Sequence, residues 1–279
     1  MLECFIRSGN FSLRFGEILE GSGVSRASLH RTLSEMVTNG LLSQAGQREE
    51  YRLGPLLRLS GALAATASSV PSVARPHMER LRDECRETIV LAELHGASVV
   101  PVLRADGLHE MRMNQAVGRR YPAHSGATGK VLLANLSPVE RGALLGDAGL
   151  ERLTTHTTTD REQLDAELHS VGRAGVAVTV GERVPDAVAI SAPVFDAEGR
   201  AVAALTISGI ASRYPRERLV ADALAVRQVA EAISVDLGYP PPARHSLDDP
   251  EGAARRALEA MCDVAARHAG TRAPNPAPV

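Results

Sequence analysis

With 279 residues, 44% of them hydrophobic and 23% charged, the chain has the length and composition of two ordinary globular domains. Thirty-one basic against 33 acidic residues leave a net charge of −2, which excludes a global positive field, so any DNA contact must come from a local patch. The three cysteines, Cys4, Cys85 and Cys262, stand far apart with no C-x-x-C, which excludes a disulfide framework or a structural zinc and fits a reducing compartment.

The first residues, Met1-Leu2-Glu3-Cys4-Phe5-Ile6, lack the basic-then-apolar order of a secretion signal. No stretch approaches the ~18–20 continuous apolar residues of a membrane span. A cytoplasmic protein with no membrane partner is expected. Phe15, Ile18 and Leu19 then predict a short helix, broken by Gly21-Ser22-Gly23. Ser25 is a good N-cap, with Val24 before it able to act as a staple, and Leu29, Leu33, Met36 and Val37 share one face of a second helix. Asn39-Gly40 ends that helix, since both residues tolerate a left-handed cap. Leu41-Leu42-Ser43 and Glu50-Tyr51-Arg52-Leu53 read as two strands around the polar tip of residues 44–49. Helix, tight turn, helix and hairpin is the order of a winged helix-turn-helix.

Residues 55–70 are an Ala/Leu-rich helical run that dissolves at Ser68-Ser69, and Pro71 and Pro76 bracket the next start. From about 75 to 240 strands and helices alternate. Strands are expected at 91–94, 98–103, 176–181, 187–194 and 201–208, and helices at 128–135 and 161–173. Asp196-Ala197-Glu198-Gly199 reads as a hairpin loop. Pro215 opens a long helix carrying Leu219, Ala223, Val226, Ala230, Ile233 and Leu237, stopped by Gly238 and Pro240. The expected fold is α+β, with an antiparallel sheet covered by helices. The domains are residues 1–58 (winged helix), 59–74 (linker helix) and 75–239 (second domain). A Pro-rich segment with one possible helix and a disordered tail fills 240–279.

On the second helix, the side opposite the leucines carries Ala27, Arg31, Ser34 and Thr38, and Arg26 and Ser28 lie in the first turn, where a recognition helix meets base edges and phosphates. A plain amphipathic surface helix would look the same, so the helix alone leaves both readings open. The hairpin adds Arg48 at its tip and Arg52 on its second strand, both within reach of phosphates. Lys130 is the only lysine of the chain, so the basic charge is nearly all arginine. Residues 21–58 hold five arginines (26, 31, 48, 52, 58) against three glutamates (35, 49, 50), a small surplus that makes binding depend on dimerisation. The expected DNA-contacting set is Ser25, Arg26, Ala27, Ser28, Arg31, Arg48 and Arg52.

The run from Pro122 to Lys130 looks like a nucleotide P-loop but fails, because His124 stands where glycine is required and Val131 where a hydroxyl is required. What survives is a small-residue turn entering a helix, whose N–H groups can hold a carboxylate or phosphate; a tight turn packed on the sheet is the other reading. Thr206 and Ser208 share a strand face with Val202 and Ala204, which suits either a pocket wall or a solvent-facing side. Catalysis finds little foothold: there is no Gly-x-Ser-x-Gly or His-Glu-x-x-His, and no metal or cofactor is expected. His124 is the one histidine placed to act as a base, although a structural hydrogen bond accounts for it equally. Asp248-Asp249-Pro250-Glu251 reads as a helix N-cap cluster.

The chain resembles the IclR family of bacterial transcriptional regulators over roughly residues 2–239. The resemblance is carried by Gly23-Val24-Ser25-Arg26-Ala27-Ser28-Leu29-His30-Arg31-Thr32-Leu33, Asn39-Gly40-Leu41-Leu42 and Tyr51-Arg52-Leu53-Gly54. It continues through Val117-Gly118-Arg119-Arg120-Tyr121-Pro122-Ala123-His124, Gly129-Lys130-Val131-Leu132-Leu133-Ala134, Ala192-Pro193-Val194-Phe195-Asp196 and Ala203-Ala204-Leu205-Thr206-Ile207-Ser208-Gly209. It implies a winged helix on operator DNA, a linker helix that helps dimerisation, and a GAF-like domain that binds a small organic or aromatic acid, in a dimer or tetramer. It also implies that the effector is held by the amides of Ala127 and Thr128, with Thr179, Ala189, Thr206 and Ser208 completing the pocket. Some members have an acidic residue where Thr179 aligns and a cysteine where Ala189 aligns, so this pocket is less polar and a small keto acid is not the expected ligand. The family's first helix usually starts several residues earlier, so residues 2–6 correspond to its final turns. The alternatives are a metabolite-binding module, or an enzyme using the C-terminal cavity, with no DNA binding.

Overall fold

The computed structural model describes residues 1–8, 10–45, 50–66, 70–146, 149–240 and 259. The chain divides into two compact units, Met1–Ser72 and Val73–Val279. The cluster at 248–251 and the helix expected beyond it lie outside the described residues, except for position 259.

The first unit runs α1 (Leu2–Ser8), β1 (Ser12–Arg14), α2 (Phe15–Ser22), α3 (Arg26–Thr38), β2 (Leu42–Ala45), β3 (Glu50–Leu53) and α4 (Pro55–Thr66). Two local devices set the turn between α2 and α3. Gly23 takes the left-handed conformation at φ +67°, and the Ser25 hydroxyl accepts the Ser28 N–H at 3.3 Å, so α3 starts where the cap predicts. At its other end Gly40 alone takes positive φ, +70°, while Asn39 stays at −86°. Phe5, Leu13, Phe15, Ile18, Leu29, Leu33, Leu42 and Tyr51 form one core. β1 is an element the sequence did not announce: three residues pair with β3 in the order β1-β3-β2, putting Leu13 opposite Tyr51.

In the second unit an antiparallel sheet is ordered β6-β5-β4-β9-β8-β7. Its strands are β4 (Thr88–His95), β5 (Ser98–Ala105), β6 (Tyr121–Pro122), β7 (Ala177–Val180), β8 (Ala187–Phe195) and β9 (Ala201–Ile210). The helices are α5 (Val70–Cys85), α6 (Ala127–Ala134), α7 (Pro138–Leu145), α8 (Arg161–Ala174) and α9 (Arg216–Asp236). α6 and α8 pack Ala127, Val131, Leu164 and Leu168 onto the sheet face that carries Val99, Ala177 and Ala204. α9 lies on β8 and β9 and buries Leu219, Ala223, Val226, Ala230 and Ile233. Glu87, fully buried, is held by Arg213 at 2.5 and 2.7 Å and by Arg218 at 3.3 Å, which ties the start of β4 to the segment between β9 and α9 and to the first turn of α9. No described helix is long and apolar enough to cross a membrane.

One expectation needs correction. Pro76 does not precede a helix start but sits inside α5, which begins at Val70. Pro71 occupies the first turn, where a missing N–H costs nothing, and the helix absorbs the one bond lost at Pro76.

α6 closes onto the turn before it because residue 129 is glycine, since a Cβ there would run into the Ala123 carbonyl. Gly129→Ala should lower stability by about 1–3 kcal/mol, as overpacking does. Gly142→Ala on exposed α7, where a Cβ meets nothing, should stabilise by up to about 1 kcal/mol. Denaturant midpoints of the two variants check both.

Candidate functional site

Two places carry chemistry. The first is the outer side of α3. Leu29 and Leu33 are fully buried and Met36 and Val37 pack beside them, so the helical step turns Arg26, Ala27, Arg31, Ser34 and Thr38 outward. Arg26 lies 5.3 Å over the ring of Phe15, which itself stacks on His30 with centroids 4.2 Å apart. Arg31 is exposed and has no ion-pair or hydrogen-bond partner among the described residues. Ser25 is exposed at the cap, Ser28 is half-buried, and Arg52 on β3 is exposed and 3.7 Å from Glu50. Arg48 lies outside the described residues.

The second is a cleft between the head of α6 and the strand-joining segment 181–186. The expected pocket residues Ala127, Thr128, Thr179, Ala189 and Ser208 line it, together with Met113, Glu182 and Arg183. It encloses about 340 Å³ counted to its open mouth.

Hydrogen-bond direction decides what the cleft offers. The Ser191 hydroxyl donates to the Leu205 carbonyl at 3.2 Å, so the 2.8 Å contact between Ser191 and Thr206 is donated by Thr206. The 3.0 Å contact between Thr206 and Thr128 is then donated by Thr128. Thr206 is fully buried in this relay and stands behind the cleft wall, not on it. Thr179 and Ser208 are different. Each accepts one bond, from the Ala127 N–H at 3.1 Å and from the Gln115 amide at 2.9 Å, and each keeps its own O–H to donate.

The head of α6 is already occupied. Glu182 accepts the Gly126 N–H at 3.0 Å with one carboxylate oxygen and meets the Lys130 ammonium at 2.5 Å with the other. Lys130, almost wholly buried, also meets Glu167 at 2.6 Å, so it is spent on two carboxylates. His124 is buried and its Nε2 lies 2.9 Å from the Glu151 carbonyl oxygen. A carbonyl only accepts, so Nε2 carries the proton and is not the basic nitrogen.

Sequence reasoning did not find Glu182, Arg183, Gln115 or Met113. The one signal was the charged pair Glu182-Arg183 between two predicted strands, with nothing in the spacing to say what it faces.

The family model for the bacterial transcriptional regulator IclR C-terminal domain matches residues 62–235, and that for the IclR helix-turn-helix domain matches residues 1–46. The transcriptional regulator KipR of Bacillus subtilis is 30% identical over 228 residues, 82% of this chain and 91% of that protein. KdgR of Escherichia coli is 33% identical over 216 residues, 77% and 82% of the two chains. A solved IclR-type regulator from Alicyclobacillus acidocaldarius superposes with a TM-score of 0.75 at 26% identity, covering 85% of this chain and 95% of that one. A homologue from Microbacterium hydrocarbonoxydans, solved in complex with 4-hydroxybenzoate, gives 0.70 at 30% identity, covering 81% and 92%.

Because Lys130 neutralises two carboxylates, Lys130→Met should cost roughly 3 kcal/mol, the scale for stripping one member from a buried ion pair. Adding Glu182→Gln should recover part of the loss, because the amide oxygen still accepts from Gly126. Thermal unfolding of the single and double variants checks this.

Proposed function

The chain belongs to the IclR family of DNA-binding bacterial transcriptional regulators, and from that premise we propose how it binds its operator and its effector. Residues 1–58 form the operator-binding domain, 59–74 the linker that assists dimerisation, and 75–239 the effector domain. Arg26, Ser28 and Arg31 enter the major groove, with Ser25 and Ala27 at the same helix start, and Arg48 and Arg52 hold phosphates. The observation that carries this is α3 itself: two leucines fully inside, and on the other side an exposed arginine with no partner among the described residues.

The effector is a small organic or aromatic acid. It binds in the cleft walled by Ala127, Thr128, Thr179, Ala189 and Ser208 and backed by Thr206. The homologue bound to 4-hydroxybenzoate and the two hydroxyls that donate to no acceptor among the described residues support this reading. The protein works in the cytoplasm as a homodimer, or a pair of dimers, and returns its ligand unchanged. Effector binding alters operator affinity by favouring one of two arrangements of the assembly.

Operator binding in gel shifts tests the first half. Arg31→Ala should lose about 1–3 kcal/mol of affinity and relax specificity at one base pair, whereas Arg52→Ala should weaken all sequences alike and reduce the salt slope by about one. Unchanged affinity and selectivity for Arg31→Ala would exclude this orientation of α3. For the effector, a thermal-shift screen of organic acids should find ligands that raise the melting temperature. Thr179→Val with Ser208→Ala should weaken them by about 30-fold, each of the two lost hydrogen bonds being worth about 1 kcal/mol. Equal binding to the double variant would move the effector elsewhere.

A further inference from the structure

Charges that reach the interior of the second unit are paired: Lys130 with Glu167 and Glu182, Glu87 with Arg213 and Arg218. Arg183 departs from that pattern. It is half-buried, lines the cleft, and has no carboxylate within ion-pair distance among the described residues. Its guanidinium lies 4.2 Å over the ring of Tyr121, and Arg119 lies 5.4 Å over the same ring. Burial pulls the Arg183 guanidinium below its ordinary pKa range, and Arg119 adds to this against the opposing pull of Tyr121. Such a cation gains from an anion more than a solvated one does.

The side chain is held ready for one. The Thr154 hydroxyl donates to the Gly181 carbonyl and the Thr157 hydroxyl to the Glu182 carbonyl, both at 2.6 Å, and the Gly181 N–H donates to Ala187 at 2.8 Å. Stacking on Tyr121 fixes the guanidinium on that anchored segment. The rest of the cleft disfavours an acid group. At the head of α6 it would meet Glu182, whose carboxylate already shares Lys130 with Glu167.

We propose that Arg183, stacked on Tyr121, is the anion anchor of the cleft. It takes the carboxylate of a ligand with an apolar body, whose uncharged polar end reaches the Thr179 and Ser208 hydroxyls. Met113, Val184, Val188 and Ala189 supply the apolar wall. This rests on reading the cleft as the effector site and adds which end of the acid points where.

The test uses full-length protein and matched probes, benzoate with benzamide and 4-hydroxybenzoate with 4-hydroxybenzamide, titrated calorimetrically. Wild type should bind an acid more tightly than its amide. Arg183→Gln should weaken that acid by about 10–100-fold while leaving the amide within about twofold, the scale of a lost charge-assisted pair. Arg183→Lys should fall between, keeping the charge without the planar stack. If Arg183→Gln binds the acid as wild type does, with the acid still preferred over the amide, the anchor is elsewhere and the organic-acid reading stands. If wild type binds none of the acids, the organic-acid reading falls as well.

Discussion

Helix α6 starts with its first N–H groups turned toward the cleft, and such groups require an acceptor. Here the chain supplies its own: the Glu182 carboxylate for Gly126 and the Thr179 hydroxyl for Ala127. Much of the second unit follows from that. Lys130 can be buried one turn further on because Glu182 and Glu167 close around it, and Gly129 lets the same turn press against Ala123. With the Gly126 and Ala127 amides satisfied from within, the cleft-lining groups that keep something to give include, among the described residues, the hydroxyl hydrogens of Thr179 and Ser208 and the guanidinium of Arg183.

The first unit is governed by a simpler constraint. It is small, so α3 can keep a polar outer side only if its other side is anchored in the shared core. Leu29 and Leu33 do this, packed with Phe5, Leu13, Phe15, Ile18, Leu42 and Tyr51. Arg26 is partly committed to Phe15 and so has a restricted reach, whereas Arg31 has no such tether. The two arginines are therefore unequal: Arg26 is held over an aromatic ring, and Arg31 is exposed with no partner among the described residues.

What could be read from the sequence was whatever depends on near neighbours. The leucine period of α3, the Ser25 cap, the Asp196–Gly199 hairpin and the stripe of α9 all rest on contacts a few residues apart, and each stands where it was expected. Three kinds of feature were not legible. β1, β6 and α7 are too short to show a period. Pro76 sits inside a helix because surrounding packing outweighs one missing bond. The filling of the cleft was hidden because the partners of Gly126 and Ala127 lie more than 50 residues away in sequence. Thr206 shows the limit sharply. Strand alternation placed it on the same face as Ser208, yet one faces the cleft and the other is sealed by Thr128 and Ser191, whose positions no alternation rule contains.

The same physics bears on how ligand binding can matter to DNA. Residues 21–58 carry a surplus of only two positive charges, so the electrostatic part of operator affinity is modest. Small free energies change the occupancy of a site most where it is half-filled. Coupling between two sites commonly amounts to about 1–3 kcal/mol, and about 1.4 kcal/mol is already tenfold in affinity. The effector site does not have to be strong; it has to prefer one arrangement. A ligand that fits one arrangement of its site better than another shifts the balance between them, and by linkage the operator returns the same factor to that ligand.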